Sequence, residues 1–284
     1  MICLNMNKPR VQAQAIPLIM TVVTFLVLSA LIYGEVLILN LFSVKDIVPH
    51  IRISDVLVGL TIYLKTSVDF AIFIGNLMAA YPGWKNRIAI EIGTALGNAL
   101  GTMIVLALWN FFRNITWLLA IMIFIAALVL FELAEEGIEH AKEGDRGYPI
   151  WFCRVIDAVE LFLKSTNRIT GVVLKYIVPD MSMKTARNLG FVGLFVSSFT
   201  IPFILGLDDF AGYVPVFNVV NVLGFSIGVL AGHMILNIFL FISPKKTIQI
   251  VKNPYISFAG SLAFIGLAFW GIFEVYKLLV LHHS

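Results

Sequence analysis

Four carboxylates, Asp69, Glu91, Asp208 and Asp209, stand in otherwise apolar surroundings, each with amides or hydroxyls close by. Asp69 follows Lys65, Thr66 and Ser67 and precedes Asn76. Glu91, Thr94 and Asn98 recur at i, i+3 and i+7, one face of a helix. Asp208 and Asp209 are flanked by Gly206, Gly212 and Pro215 and followed by Asn218 and Asn221, the pattern of an interrupted helix with freed carbonyls. Carboxylates with amide oxygens, lacking thiols or paired histidines, are hard ligands suited to Mg²⁺, Ca²⁺ or Mn²⁺. An ionisable group deep in hydrocarbon costs about 2.5–3.5 kcal/mol even on lenient scales, so it needs a partner or a function. For Asp69 the structural alternative is Lys65, one turn earlier; for Glu91 it is an interfacial position. The candidate cation ligands are therefore Asp69, Asp209, Asp208, Glu91, Asn98 and Asn221. His233, alone on its helix, fits a hydrogen-bonded packing histidine better than a ligand.

The elements that must position these groups are membrane spans. Of the 284 residues 60% are hydrophobic and 13% charged, with a mean hydropathy of +0.94. So few charges cannot cover so much apolar surface in water, which excludes a soluble enzyme, a disordered chain and a nucleic-acid-binding domain. Charge-free runs at 11–34, 92–112, 114–131, 188–207, 210–244 and 253–273 each approach or exceed the roughly 20 residues a crossing needs. The run 56–80 makes a seventh span if Lys65 and Asp69 are accommodated within it. The first run is too long for a cleavable signal, and no small-residue cleavage site follows it. Two cysteines, Cys3 and Cys153, far apart and outside any Cys-x-x-Cys, support neither a disulfide framework nor a zinc knuckle.

Charge placement orients the seven spans. Fifteen of the twenty lysines and arginines fall on the side of the N-terminus, four on the other, and Lys65 lies within a span. The N-terminus and the connection 132–187 are thus expected in the cytoplasm and the C-terminus outside, in a multi-pass protein of the inner membrane. That connection opens acidic and then turns amphipathic: Phe152, Val155, Ile156, Val159, Phe162 and Leu163 oppose Arg154, Asp157, Glu160 and Lys164. Such a helix is expected in the interface plane.

An internal repeat emerges when the second to fourth spans are laid on the fifth to seventh. Asp69-Phe70-Ala71 matches Asp209-Phe210-Ala211, and each is followed by a glycine ladder, Gly93-Gly97-Gly101 and Gly224-Gly228-Gly232. Each ladder puts three glycines on one helix face and admits close backbone approach. Three spans separate the copies, so the halves point oppositely, as in secondary transporters. The expected organisation is all-α: an N-terminal helix and connection (1–50), a first three-helix repeat (51–131), the cytoplasmic connection (132–187) and a second repeat (188–284).

Thr66-Ser-Val-Asp69-Phe-Ala-Ile-Phe-Ile and Gly206-Leu-Asp208-Asp209-Phe-Ala-Gly-Tyr213-Val-Pro215-Val-Phe resemble the paired acidic motifs of the cadmium-resistance transporters, within the lysine-exporter superfamily. The resemblance covers roughly residues 56–280, with Phe70 standing where a second acid is expected. It implies inverted repeats and export of a divalent cation of the Mn, Ca, Mg or Cd class as cargo, with no resident cofactor. Export against the membrane potential, about 2.3 kcal/mol per charge per 100 mV, then requires proton or sodium exchange. No phosphate-binding Gly-x-x-x-x-Gly-Lys-Ser/Thr loop, His-Glu-x-x-His or Gly-x-Ser-x-Gly is present, so no enzyme is expected. The alternatives are an exporter of an amino acid or other organic solute, for which Lys65 offers the one intramembrane cation, and a non-transporting scaffold subunit. The expected partners are the bilayer and the small cation, with no nucleic acid; a homo-oligomer is left open.

Overall fold

The computed structural model describes residues 8–43, 46–142, 149–174, 190–208, 213–217, 220–251 and 253–281, with backbone alone at 8–17, 69, 140, 168–174, 201, 204–208 and 281. Among these residues there is no strand. The helices are α1 (Lys8–Leu41), α2 (Ile53–Thr66), α3 (Val68–Ala80), α4 (Trp84–Phe112), α5 (Thr116–Lys142), α6 (Ile150–Leu174), α7 (Phe191–Asp208), α8 (Val222–Ile242), α9 (Pro244–Val251) and α10 (Pro254–Tyr276), followed by a π-helical turn at Lys277–Leu281.

Among the described residues, five segments are long and apolar enough to cross a bilayer: Leu18–Leu41, Trp84–Phe112, Thr116–Glu139, Val222–Ile242 and Pro254–Val280. They turn large apolar side chains outward, among them Ile19 and Leu26 on α1, Phe124 on α5 and Phe273 on α10. So much exposed hydrocarbon on long helices is a lipid-facing surface. The protein is an all-α polytopic membrane protein.

The expected span at 56–80 is not one straight helix. It divides at Ser67 into α2 and α3, bent by 69°. The cause is local: Ser67 has ψ of 26°, and the Thr66 hydroxyl donates to the Tyr63 carbonyl at 3.1 Å, in the last turn of α2. That carbonyl also accepts the Ser67 amide at 3.0 Å, and a hydroxyl bonded back onto a helix carbonyl in this way bends the helix.

Three helix pairs build the body: α4 with α7, α2 with α8, and α5 with α10. The glycines explain the first two. A Cβ on Gly93 would lie 2.7 Å from the Phe195 carbonyl oxygen, and one on Gly97 3.1 Å from the Phe203 nitrogen, so α4 and α7 run parallel with their backbones touching. On α8, a Cβ at Gly224 would lie 3.0 Å from Asp55 Cβ, one at Gly228 2.8 Å from the Val56 carbonyl carbon, and one at Gly232 3.2 Å from the Leu60 oxygen. That pair is parallel too. Pairing of Gly137 with Ser257 and Ser261, and of Ala127 with Gly271, makes α5 and α10 antiparallel. α1 lies parallel to α4, tied by Thr21 to Glu91 at one end and by Ser43 Oγ to Asn110 Oδ1 at 2.9 Å at the other.

α6 is amphipathic as expected, with Phe152, Ile156 and Leu163 buried. It packs on neighbouring helices. It runs antiparallel beside α5, where Lys142 pairs with Asp157 (2.8 Å) and Glu160, and Asn167 Nδ2 donates to the Phe131 carbonyl at 3.1 Å. Phe152 also packs on Tyr255 and Phe258 of α10. Hydrogen bonds from Lys142, then Lys164, hold the Glu160 carboxyl below the usual carboxylate range. A carboxyl depressed by folding contributes stability above its unfolded pKa, about 4.3, and loses it as pH falls through the lower folded value. Acidification below about pH 4 should therefore loosen α6 from α5 by a fraction of a kcal/mol, the worth of an exposed ion pair. Hydrogen exchange of the α6 amides checks this: Glu160→Gln should abolish the pH dependence, and an unchanged profile would refute it.

Candidate functional site

Among the described residues α4 carries five buried polar side chains, Glu91, Thr94, Asn98, Thr102 and Asn110. Glu91, Thr94 and Asn98 are all buried, as their shared face requires, yet each meets different surroundings. Glu91 turns to α1, where Thr21 Oγ1 donates to its Oε1. Thr94 turns to α8, receiving Asn237 Nδ2 at 3.1 Å and lying 3.3 Å from His233 Nε2. Asn98 accepts a hydrogen bond from Thr102 at its backbone carbonyl, while its side-chain Nδ2 is buried without a partner.

The glycine contacts explain how these side chains come together. With α8 pressed backbone-to-backbone on α2 through Gly228, and Gly232 against Tyr63, the next residue, His233, reaches α2 and α4 at once. Tyr63 Oη lies 2.6 Å from His233 Nδ1, Asn237 Nδ2 lies 3.0 Å from Nε2, and the Phe70 ring caps the imidazole at 5.1 Å. Phe70 belongs to the Asp-Phe-Ala motif, so the break between α2 and α3 sits directly against this network. Ser67, at the break, has a buried hydroxyl without a hydrogen bond.

The other expected ligands are distributed as follows. The Asp69 backbone opens α3 beside Phe70, but its side chain lies outside the described residues. Asp208 closes α7 nine residues beyond Phe199, about 13 Å along the axis, and its side chain is likewise undescribed; Asp209 lies outside the described residues. Asn221 caps α8: its Oδ1 accepts from the Gly224 amide at 3.1 Å, and its Nδ2 donates to the Val48 carbonyl at 2.7 Å. It stands twelve residues, about 18 Å, along α8 from His233. Among the described side chains, no group of three or more His, Cys, Asp or Glu converges.

Lys65 is not spare. Its Nζ donates to the carbonyls of Ser257 at 3.0 Å and Ile256 at 3.3 Å, and its stem fills the space over Gly260 of α10.

Two features escaped sequence reasoning. His233 is hydrogen-bonded at both ring nitrogens, as a packing histidine would be, but its partners come from three helices; the available signal was its i, i+4 spacing with Asn237 next to the glycine ladder. Glu35 lies one residue past the first charge-free run, yet α1 continues to Leu41, so this acid is within a span, with Oε2 buried and unpaired.

Comparison with protein-family models, with curated proteins and with solved structures gives no match in any of the three.

Proposed function

We propose that the protein is a seven-helix secondary transporter that exports a small, hard, divalent cation in exchange for protons or sodium. It is built as α1 plus two oppositely oriented three-helix units. The observation that carries this reading is the packing pattern. Exchanging the first unit (α2–α3, α4, α5) for the second (α7, α8, α10) turns the parallel pair α2–α8 into the parallel pair α7–α4, and returns the antiparallel pair α5–α10 to itself. Each parallel pair closes on the glycine ladder of its unit. In each unit, Asp-Phe-Ala begins within three residues of the end of the first helix, at Asp69 after Thr66 and at Asp209 after Asp208. Inverted repeats with broken helices are the usual frame of a secondary transporter.

In this reading α7 is the fifth crossing, and the N-terminus and α6 face the cytoplasm of a cell with the protein in its inner membrane. Asp69 supplies a carboxylate at one break and Asp208 and Asp209 at the other. Of the other polar groups, Asn98 offers a buried amide whose Nδ2 has no partner, while Glu91 is held by Thr21 and Asn221 caps α8. The carbonyl-bound ammonium of Lys65 favours a cation over a carboxylate solute, which would need that charge for itself.

Purified protein reconstituted in vesicles should take up Mn²⁺, and a panel of Mg²⁺, Ca²⁺, Mn²⁺ and Cd²⁺ in detergent should raise the thermal midpoint selectively. Absence of both effects would defeat the proposal. Reporters at His140 and His283 should fall on opposite sides; placement on the same side would remove the seventh crossing.

A further inference from the structure

We propose that His233 is the site that binds the proton exchanged for the cation, an assignment that rests on the transport reading above. The imidazole is fully buried where α2, α3 and α4 meet α8. Its hydrogen bonds form a directed chain. The Thr94 hydroxyl donates to the Glu91 carbonyl at 2.9 Å and so accepts from Asn237 Nδ2 at 3.1 Å. The second proton of that amide points to His233 Nε2 at 3.0 Å, which must then be bare, and the ring proton on Nδ1 goes to Tyr63 Oη at 2.6 Å. This is a neutral imidazole with every ring nitrogen used.

One atom does not fit a site built only for that state. Asn237 Oδ1 is buried without a hydrogen bond, and an unpaired buried carbonyl is costly. A half-turn of the amide places Oδ1 where Nδ2 now stands, 3.0 Å from Nε2. A proton added at Nε2 then has an acceptor, while Nδ1–H keeps Tyr63 Oη. The turn takes Nδ2 off Thr94 Oγ1, whose hydroxyl swings from the Glu91 carbonyl to donate to Oδ1. Two side-chain torsions thus convert a site for the neutral ring into a site for the imidazolium, with no helix displaced. The proton enters and leaves as such; no covalent bond is made.

The charged and titratable groups around the ring leave it this freedom. α2 contributes Tyr63, with Lys65 turned away to α10. α4 contributes Glu91, whose carboxylate is held by Thr21 of α1. α1, which also packs on α8, carries Glu35. α3 contributes Asp69, whose side chain is outside the described residues. α9 brings Lys245 and Lys246 beyond the far end of α8, which has no titratable residue besides His233. None of the hydrogen-bond partners of His233 is a carboxylate, so no ion pair locks it in the charged form. Histidine is the side chain whose ordinary titration falls near neutrality.

Two measurements on the full-length protein test the assignment. In ¹⁵N-histidine-labelled protein, the His233 signals, identified by their loss in His233→Gln, should pass from neutral to imidazolium shifts on acidification within the pH range where the protein stays folded. Asn237→Leu, which keeps the volume and removes the carbonyl, should suppress the protonated form over that range. In vesicles supplied with Mn²⁺ and an internal pH dye, His233→Gln should lower cation-driven proton flux by about tenfold or more, the size of an ordinary coupling between two sites. If His233→Gln does not fold, Tyr63→Phe, which removes the acceptor at Nδ1, should weaken protonation and proton flux in the same assays. An imidazole that stays neutral throughout, or undiminished proton flux in a folded variant, overturns the assignment while Mn²⁺ uptake leaves the transport reading standing. Vesicles that move no Mn²⁺ although His233 titrates overturn the transport reading and leave the proton site in place.

Discussion

Gly228→Leu and Gly97→Leu should each leave almost no monodisperse protein, and Gly228→Ala and Gly97→Ala should destabilise it by about 1–3 kcal/mol, the usual cost of overpacking. A Cβ at Gly228 would stand 2.9 Å from Val56 Cα, and one at Gly97 3.2 Å from the Phe199 carbonyl carbon. Backbone atoms cannot rotate aside as a side-chain tip can, so the paired helices must separate. Separation forfeits dispersion contacts along the whole pair, and in a bilayer no hydrophobic gain compensates, because lipid tails are as apolar as leucine. Gly34 and Gly266 are the controls. Nothing lies within 4 Å of a Cβ at either, so alanine there should change the thermal midpoint little. Normal yield and midpoint for Gly228→Leu and Gly97→Leu would show that the close approaches carry no load.

The second large effect concerns the two acidic motifs. Asp69→Asn and Asp209→Asn should each abolish Mn²⁺-dependent stabilisation and Mn²⁺ uptake, while the apo protein stays folded. A carboxylate that binds the cation outranks the hydrogen-bond partners whose loss already costs about 10–100-fold in metal affinity. The neutral amide is also cheaper to hold in hydrocarbon than the charge it replaces. The competing account makes Asp69 the partner of Lys65. It predicts that Asp69→Asn destabilises the apo protein and that adding Lys65→Met restores it. Lys65 already has the carbonyls of Ser257 and Ile256 on α10, so removal of Asp69 should not strand it. Uptake and thermal midpoints of the single and double variants separate the accounts, and recovery of transport in the double variant would exclude a cation-binding Asp69.

Hydropathy and spacing were enough to establish a helical membrane protein, because hydrocarbon admits backbone only when its hydrogen bonds close within each segment. The same constraint makes the glycine spacing informative: Gly93-Gly97 and Gly224-Gly228 mark the faces on which α7 and α2 lie. Periodicity likewise put Glu91, Thr94 and Asn98 on one buried face. It could not say what each side chain meets, since a helix face is shared by several neighbours. Only the packing sends Glu91 to α1, Thr94 to α8 and Lys65 to α10. Short-range effects were equally hidden in composition: at the bend the Tyr63 carbonyl accepts both the Ser67 amide and the Thr66 hydroxyl, a detail that hydropathy averages away. Asn221, an attractive amide ligand on paper, is engaged at both ends as a helix cap and a tie to Val48. The Tyr63–His233–Asn237 network is the extreme case, because its members are as much as 174 residues apart and meet only where two glycine-lined helices let a third come close.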